Sequence, residues 1–465
     1  MDGHEQGSGS RPRVLDLCAG RAGDQGVLDG AVVRRQGLAL LPGVGGTRFQ
    51  QRITGLIGAR RRGGGDHLEH FDVVDDASPG GTAVVRGALL VRSSLATADP
   101  ALLGELVDRV GAAQARLDGR LLVLSGRDLA PDELVTLARG VRARGHEASV
   151  AHIVPLNIVC KGEGGPARTS LKVQVADPQP AAGAVRVALI DTGVAVAGRE
   201  HDWQRPLRSV DNIDLLDAFP APGGDGMLDA AAGHGAFTTG VVQQVDPAGS
   251  VAVHRALDSD GIGSEVRVAE LLLHAIREQG AEVVNLSLGT QTLDDQPLLA
   301  LEVAFELLGE GGYDDVLLVA AAGNYGSTRP CWPAASRRVV AVAALTAAME
   351  PAPWSSRGWW VDVSTVGEGL VSTYVRGRES PELSPSQGPD EWPMDDSRPW
   401  AVWTGTSFAA PQVAAEVARR LTAERAAGNP AATARDVLRG LLAEGRRLPD
   451  YGVAVKILSG TPVTG

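Results

Sequence analysis

Apolar positions recur in short blocks along most of the chain, and their period alternates between that of a strand and that of a helix. Ala83–Val91 is strand-like, and Pro100–Arg116 carries Leu103, Leu106, Val107 and Val110 on one helical stripe. Arg120–Leu124 reads as a strand, Pro131–Arg144 as a helix opened by proline, and Glu147–Val154 as a further strand. This β-α-β-α-β order predicts a small parallel sheet with right-handed crossovers over residues 83–160. The segment holds no GxGxxG and no cluster of catalytic residue types, so it is expected to recognise or to regulate.

Residues 1–82 are Gly-rich with little periodicity, and Arg60-Arg61-Arg62-Gly63-Gly64-Gly65 reads as a solvated loop. Residues 161–183, rich in Gly, Pro and Ala, form the expected linker. From residue 184 to 465, short apolar strands alternate with amphipathic helices. The strands are Val185–Ile190, Val251–His254, Glu282–Leu286, Val316–Ala320 and Val339–Leu345, with helices at Glu265–Arg277 and Gln296–Leu308. Such alternation predicts an α/β fold, a parallel sheet with helices on both faces. Its reactive groups should gather at the carboxyl ends of the strands.

At 465 residues the chain is too long for one ordinary core, since a domain takes roughly 100–200 residues. The net charge is −12, and it is unevenly distributed. Residues 1–180 hold 22 basic and 20 acidic side chains, whereas residues 181–465 hold 22 and 36. An acidic C-terminal part repels phosphate, so no nucleic-acid partner is expected. Cys18, Cys160 and Cys331 are widely spaced, which speaks against a disulfide framework or a zinc site. No apolar run of about 18 residues is present, so no membrane partner is expected. With no secretory pattern in residues 1–13, the expected location is cytoplasmic.

Three positions draw attention to chemistry. Asp191 directly follows the apolar strand VRVALI, His234 lies between two glycines at the start of a helical segment, and Ser407 opens a helix in GTSFAAP. Alone, each has an ordinary explanation as turn former, packed histidine or N-cap. The glycines beside His234 weaken the bland reading, because a helix retains Gly where backbones must approach closely. At a helix N-terminus, Ser407 sits where a developing anion is favoured. The order Asp, His, Ser within one α/β unit, with Asn324 in a Gly-Asn turn after a strand, makes the set coherent.

On these motifs, residues 184–465 resemble the subtilisin family (subtilases, S8-type serine peptidases). The matching segments are VALIDTG around Asp191, Gly233-His234-Gly235 with Gly240, and Gly405-Thr406-Ser407 through Pro411. The resemblance implies a subtilisin-like parallel sheet with helices on both faces, here preceded by the smaller α/β domain read over residues 83–160. It implies a serine endopeptidase with Asp191, His234 and Ser407 as catalytic residues and Asn324 in the oxyanion hole. It also implies that Gly261 and Gly263 form the substrate-facing edge. Ser287, Leu288 and Gly289 would make one wall of the primary pocket, and Ala321, Ala322 and Gly323 the other. Arg329 and Trp332 are candidates to shape that pocket, and Asp258 and Asp260 to favour basic residues upstream of the cut.

No cofactor is expected; the resemblance allows calcium, for which the sequence offers no clear loop. The partners expected are a peptide or protein substrate and a regulatory protein acting through residues 1–160. Extracellular members carry an inhibitory propeptide of two helices and four strands, an order that differs from the one read over residues 83–160. The chain departs from the family at Phe237, where a second His is usual, and at Gln412, also commonly His. It adds an acidic insertion at 375–401. The alternative activities are peptide maturation or transpeptidation, with acyl transfer to an amine, and a catalytically silent protein-binding scaffold. A sedolisin-type site would need Glu for His234 and Asp for Asn324.

Overall fold

A computed structural model describes residues 70–75, 81–156, 165–169, 180–195, 210–218, 224–378 and 400–460, with isolated positions between 33 and 57 and at 173 and 207. Its larger sheet has eight strands. They are β7 (Arg186–Asp191), β8 (Ser250–Arg255), β9 (Val283–Leu286), β10 (Leu317–Ala321), β11 (Val339–Leu345), β12 (Val363–Val366), β15 (Arg446–Leu448) and β16 (Gly452–Ala454). The order across the sheet is β15-β16-β12-β11-β10-β9-β7-β8, parallel throughout except for the β15-β16 pair. Strands β9, β10 and β11 are buried along their whole length, as continuous runs such as VVAVAAL require when both faces are covered.

Helices cover this sheet on both sides. On one face α3 (His234–Val245) packs against α6 (Thr406–Ala426), and on the other α4 (Glu265–Arg277) packs against α5 (Leu299–Glu310). Ser264 caps α4 by accepting the Arg267 N–H at 3.3 Å. The row Ala410, Ala414 and Ala418 lets α6 approach the sheet closely. Val413, Val417 and Leu421 are fully buried, each contributing about 1.5–3 kcal/mol relative to exposure. No described helix is long and apolar enough to cross a membrane.

The N-terminal sheet corrects the sequence reading. It is antiparallel, built from β1 (Phe71–Val74), β2 (Thr82–Arg92), β3 (Gly111–Arg116), β4 (Leu121–Gly126) and β5 (Ala148–His152). Its helices are α1 (Pro100–Val110) and α2 (Pro131–Ala143). The predicted helix to Arg116 stops at Val110 because Gly111 adopts φ 123°, and a Cβ there would lie 2.3 Å from the Ser125 carbonyl oxygen. The remaining GAAQAR run is Ala-rich, a helix-like composition, yet it pairs along its whole length with β4. From β2 to β5 the order is therefore β-α-β-β-α-β, a split βαβ unit and not the parallel sheet expected. β1 falls in the stretch expected to be irregular. Ala167–Arg168 (β6), in the expected linker, pairs instead with β14 (Trp400–Trp403), which also pairs with β13 (Leu370–Thr373). The acidic residues of the insertion, from Glu379 to Asp396, and the Arg60–Gly65 run lie outside the described residues.

Candidate active site

β7 ends at Asp191 and α3 begins at His234, and the two meet: His234 Nδ1 lies 2.7 Å from Asp191 Oδ1. Both side chains are almost wholly excluded from solvent. Asp191 Oδ1 also accepts the Thr192 N–H at 2.7 Å, and Oδ2 accepts the Thr238 hydroxyl at 3.1 Å. With Asp191 accepting, Nδ1 carries the imidazole proton and Nε2 remains the basic atom. Two glycines permit this approach. A Cβ on Gly235 would lie 2.0 Å from the Gly193 carbonyl oxygen, and one on Gly193 would lie 2.4 Å from that of Asn212.

Ser407 stands in the first turn of α6 and lines the same cleft as His234 and Asn324. Its hydroxyl donates to the Ser287 carbonyl at 3.2 Å. Asn324 Oδ1 accepts both the Thr406 N–H (2.9 Å) and the Thr406 hydroxyl (2.8 Å). Those two donors occupy the carbonyl side of the amide, so Nδ2 is the atom offered to the cleft. Phe237 packs behind the histidine, its ring 4.5 Å from Phe408 and 5.5 Å from Trp403. Gln412 bridges backbone, donating to Val366 and Phe408 at 2.7 Å each and accepting from Leu458 at 3.1 Å. Of the two departures from the expected motifs, Phe237 thus serves packing and Gln412 ties backbone segments together.

The expected substrate groove already contains an extended segment of this chain. Beyond β5, Val154 N–H donates to the Gly263 carbonyl at 2.8 Å and Leu156 N–H to that of Gly261 at 3.0 Å. Ile153 bridges Ser264 antiparallel, and Gly289 N–H donates to the Pro155 carbonyl at 3.3 Å. Residues 153–156 are therefore flanked by Gly261 and Gly263 on one side and Gly289 on the other, and Leu156 lines the cleft with His234 and Ser407.

Between the 287–289 and 321–323 walls sits Cys331, a free thiol. A Cβ on Gly289 would come within 2.9 Å of its sulfur, and one on Gly323 within 3.0 Å. Burial pushes this thiol up to about 12, so it stays neutral. Arg329 turns away to pair with Asp295 and the Thr292 carbonyl. Asp258 Oδ1 accepts the N–H groups of Asp260 and Ile262, which shapes the turn leading to Gly263.

Several supporting groups had no local signal in the sequence. Asp214, fully buried, accepts from Thr192 Oγ1 (3.1 Å), Gly233 N (2.8 Å) and Leu216 N (3.0 Å), tying together the loops that carry Asp191 and His234. Burial pushes its carboxyl up to about 6. Burial, together with the neighbouring Asp260 carboxylate, also raises Asp229 well above the ordinary range. Thr238 lies four residues after His234, a spacing that places both on one helical face and made it findable. Among the described residues no group of three or more His, Cys, Asp or Glu is placed to hold a metal ion.

Comparison with known proteins places the larger unit in a family. The family model described as "Subtilase family" matches residues 183–444. The chain is 31% identical over 233 residues to "Thermophilic serine proteinase" of Bacillus sp. (strain AK1), covering 49% of this chain and 50% of that protein. It is 29% identical over 254 residues to "Thermitase" of Thermoactinomyces vulgaris, covering 52% of this chain and 77% of that protein. The match thus spans half the length of the Bacillus relative. A solved structure titled "Crystal Structure of a Lanthipeptide Protease" aligns with TM-score 0.45 and 21% identity, over 60% of this chain and 85% of that one. With its α/β fold described and more than half its length matched by the family model, this chain belongs to the subtilase family.

Proposed function

We propose that this protein is a serine endopeptidase whose Ser407, His234 and Asp191 hydrolyse peptide bonds through an acyl-enzyme. The observation that carries the reading is the 2.7 Å contact of Asp191 with His234 in a cleft shared with Ser407 and Asn324. Ser407 Oγ turns from the Ser287 carbonyl to His234 Nε2, gives up its proton and attacks the substrate carbonyl carbon. Such hydrogen bonds tighten as substrate binds. Asp191 holds the tautomer and stabilises the imidazolium, while Asn324 Nδ2 and the Ser407 N–H receive the oxyanion. His234 then protonates the leaving amine, and a water activated by the same histidine releases the acyl group.

The N-terminal unit, in this reading, restrains the enzyme. The support is residues 153–156, whose backbone takes the hydrogen bonds of Gly261, Gly263 and Gly289 that an extended substrate needs. The β-α-β-β-α-β order of residues 82–152 has the two helices and four strands of the inhibitory propeptide that extracellular members of the family carry, unlike the order read from the sequence. A reducing compartment such as the cytoplasm is part of the proposal, supported by the buried free thiol of Cys331. It is checked by locating a tagged full-length chain in cell fractions.

Ser407→Ala is expected to abolish casein hydrolysis and labelling by a fluorophosphonate; labelling that persists in this variant overturns the assignment. Restraint predicts that full-length protein carrying Leu156→Glu cuts casein several-fold faster than the unaltered chain. Equal rates count against it.

A further inference from the structure

Gln36 reaches from the N-terminal stretch to the strand that leads into Ser407. Positions 33, 34 and 36–38 are helical, and the Leu40 N–H donates to the Gln36 carbonyl at 3.3 Å. The apolar side chains here pack on the larger unit. Val33 clusters with Val173, Val371 and Val402, and Leu40 belongs to the core that holds Phe237, Trp403 and Phe408. Gln36 itself is 2% exposed. Its Nε2 donates to the Gly165 carbonyl at 2.7 Å and to the Val402 carbonyl at 2.9 Å, which uses both amide protons. Its Oε1 accepts the Thr404 hydroxyl at 2.8 Å, and that hydroxyl accepts the Gly369 N–H at 3.0 Å. Val402 and Thr404 flank Trp403, whose ring stands edge-on to His234 with centroids 5.4 Å apart. The chain then runs Thr404-Gly405-Thr406-Ser407, and the Gly405 N–H donates to the Gly367 carbonyl at 2.8 Å. A Cβ on Gly405 would lie 3.4 Å from Asn324 Nδ2, so this backbone runs close beside the oxyanion donor. Thr404, Gly405 and Ser407 line one cleft with His234 and Asn324. An apolar side chain at position 36 would withdraw three hydrogen bonds from a buried site next to that backbone.

Resting on the peptidase reading above, we propose that Gln36 is a positioning residue for the reaction: through Thr404 it fixes the backbone that presents Ser407 to His234 and Asn324. The stretch around Gln36 is then a working part of the catalytic unit, opposite in effect to residues 153–156, which fill the groove. None of the three hydrogen bonds of Gln36 involves the N-terminal sheet, so lifting residues 153–156 away leaves them in place.

The test uses the full chain carrying Leu156→Glu, which opens the groove, as the parent. Gln36→Met keeps the length of the side chain and removes its hydrogen bonds. Active sites are counted by fluorophosphonate labelling, and kcat on a quenched fluorescent peptide is expressed per labelled Ser407. Gln36→Met is expected to lower that kcat by about tenfold, less than a full ångström of misplacement brings. KM should change by less than about twofold, because the groove that binds substrate is untouched. Thr404→Val should cost a similar factor. The two together should lose about tenfold and not about a hundredfold, as residues acting through one contact do. A residue that only filled the core would lower the thermal midpoint and the number of labelled sites while leaving kcat per site unchanged. That result, or losses that multiply in the double variant, overturns the proposal and leaves the peptidase reading standing. Should Gln36→Met not fold, Thr404→Val answers alone: an unchanged kcat per labelled site overturns the proposal. A folded parent that neither labels nor cuts casein overturns the peptidase reading, and this proposal with it.

Discussion

His152 and Glu265 form a buried pair between the N-terminal sheet and helix α4: Nδ1 lies 3.1 Å from Oε1, with side chains 1% and 0% exposed. Leu293 N–H donates to His152 Nε2 at 3.3 Å, so Nδ1 carries the proton and donates to Glu265. Glu265 accepts two further donors, His152 N at 2.8 Å and Ala300 N at 2.9 Å. The pair lies immediately before the extended segment 153–156 that enters the candidate substrate groove. Glu265→Ala leaves three buried donors without an acceptor and should cost about 3–5 kcal/mol. Urea unfolding measures that loss, and casein hydrolysis should rise as residues 153–156 loosen.

The exposed ion pairs across the same boundary should matter far less. Arg139 and Arg142 share Asp294, and Arg92 meets Glu306, but the carboxylates are a third to a half exposed. Asp294→Ala is expected to change stability by about 1 kcal/mol or less. A loss comparable to that of Glu265→Ala in parallel urea titrations would contradict this ranking.

Asp191→Asn should preserve the fold and lower kcat by roughly 10⁴, because an amide stabilises the wrong imidazole tautomer. Asn324→Ala should lower kcat by about 10²–10³ with little change in KM, as expected for a donor used mainly in the transition state. Steady-state kinetics on one peptide separates the two effects, and circular dichroism verifies the fold.

Asp214 gives the molecule a pH dependence of known sign. Its carboxyl is raised from 3.8 to about 6 by burial, so the folded state holds the proton more tightly than the unfolded chain. That contribution is fully present below about pH 4 and is lost as the pH rises to about 6, a change of about 3 kcal/mol. His254, pushed down to about 4 by burial, acts in the opposite sense and costs stability as the pH falls from 6.5 toward 4. The difference between the unaltered chain and Asp214→Asn isolates the first effect. Urea titrations should show the advantage of Asp214 shrinking between pH 4 and 6.5.

Gly235→Ala tests how tightly the two loops are joined. The added methyl group meets the Gly193 carbonyl oxygen at 2.0 Å, backbone that cannot move without displacing Asp191. Fluorophosphonate labelling should fall by about 10² or more, the effect of roughly 1 Å of misplacement. Alanine at Gly440, where a Cβ meets nothing within 4 Å, should leave labelling unchanged.

Much of the site was legible along the chain because each of its groups ends a strand or opens a helix. Asp191 after VRVALI, His234 between glycines and Ser407 before an Ala row carry local marks of their positions. Asp214 carries none, since its partners Thr192 and Gly233 are distant in sequence and its role exists only where three loops converge. The spacing of Cys331 along the chain bears only on disulfides and metal sites; its place between Gly289 and Gly323 depends on how the walls pack.

The sequence by itself determined the parallel α/β architecture, through continuous apolar strands that must be covered on both faces, and marked Asp191, His234 and Ser407 as the candidate reacting side chains. Tertiary structure decided the rest. It broke the predicted helix at Gly111, where contact with the Ser125 carbonyl excludes a side chain, and so made the N-terminal sheet antiparallel. It also carried Val154 and Leu156 into the groove, a pairing between segments over a hundred residues apart. No local pattern encodes such a pairing, because its hydrogen bonds are backbone groups that every sequence possesses.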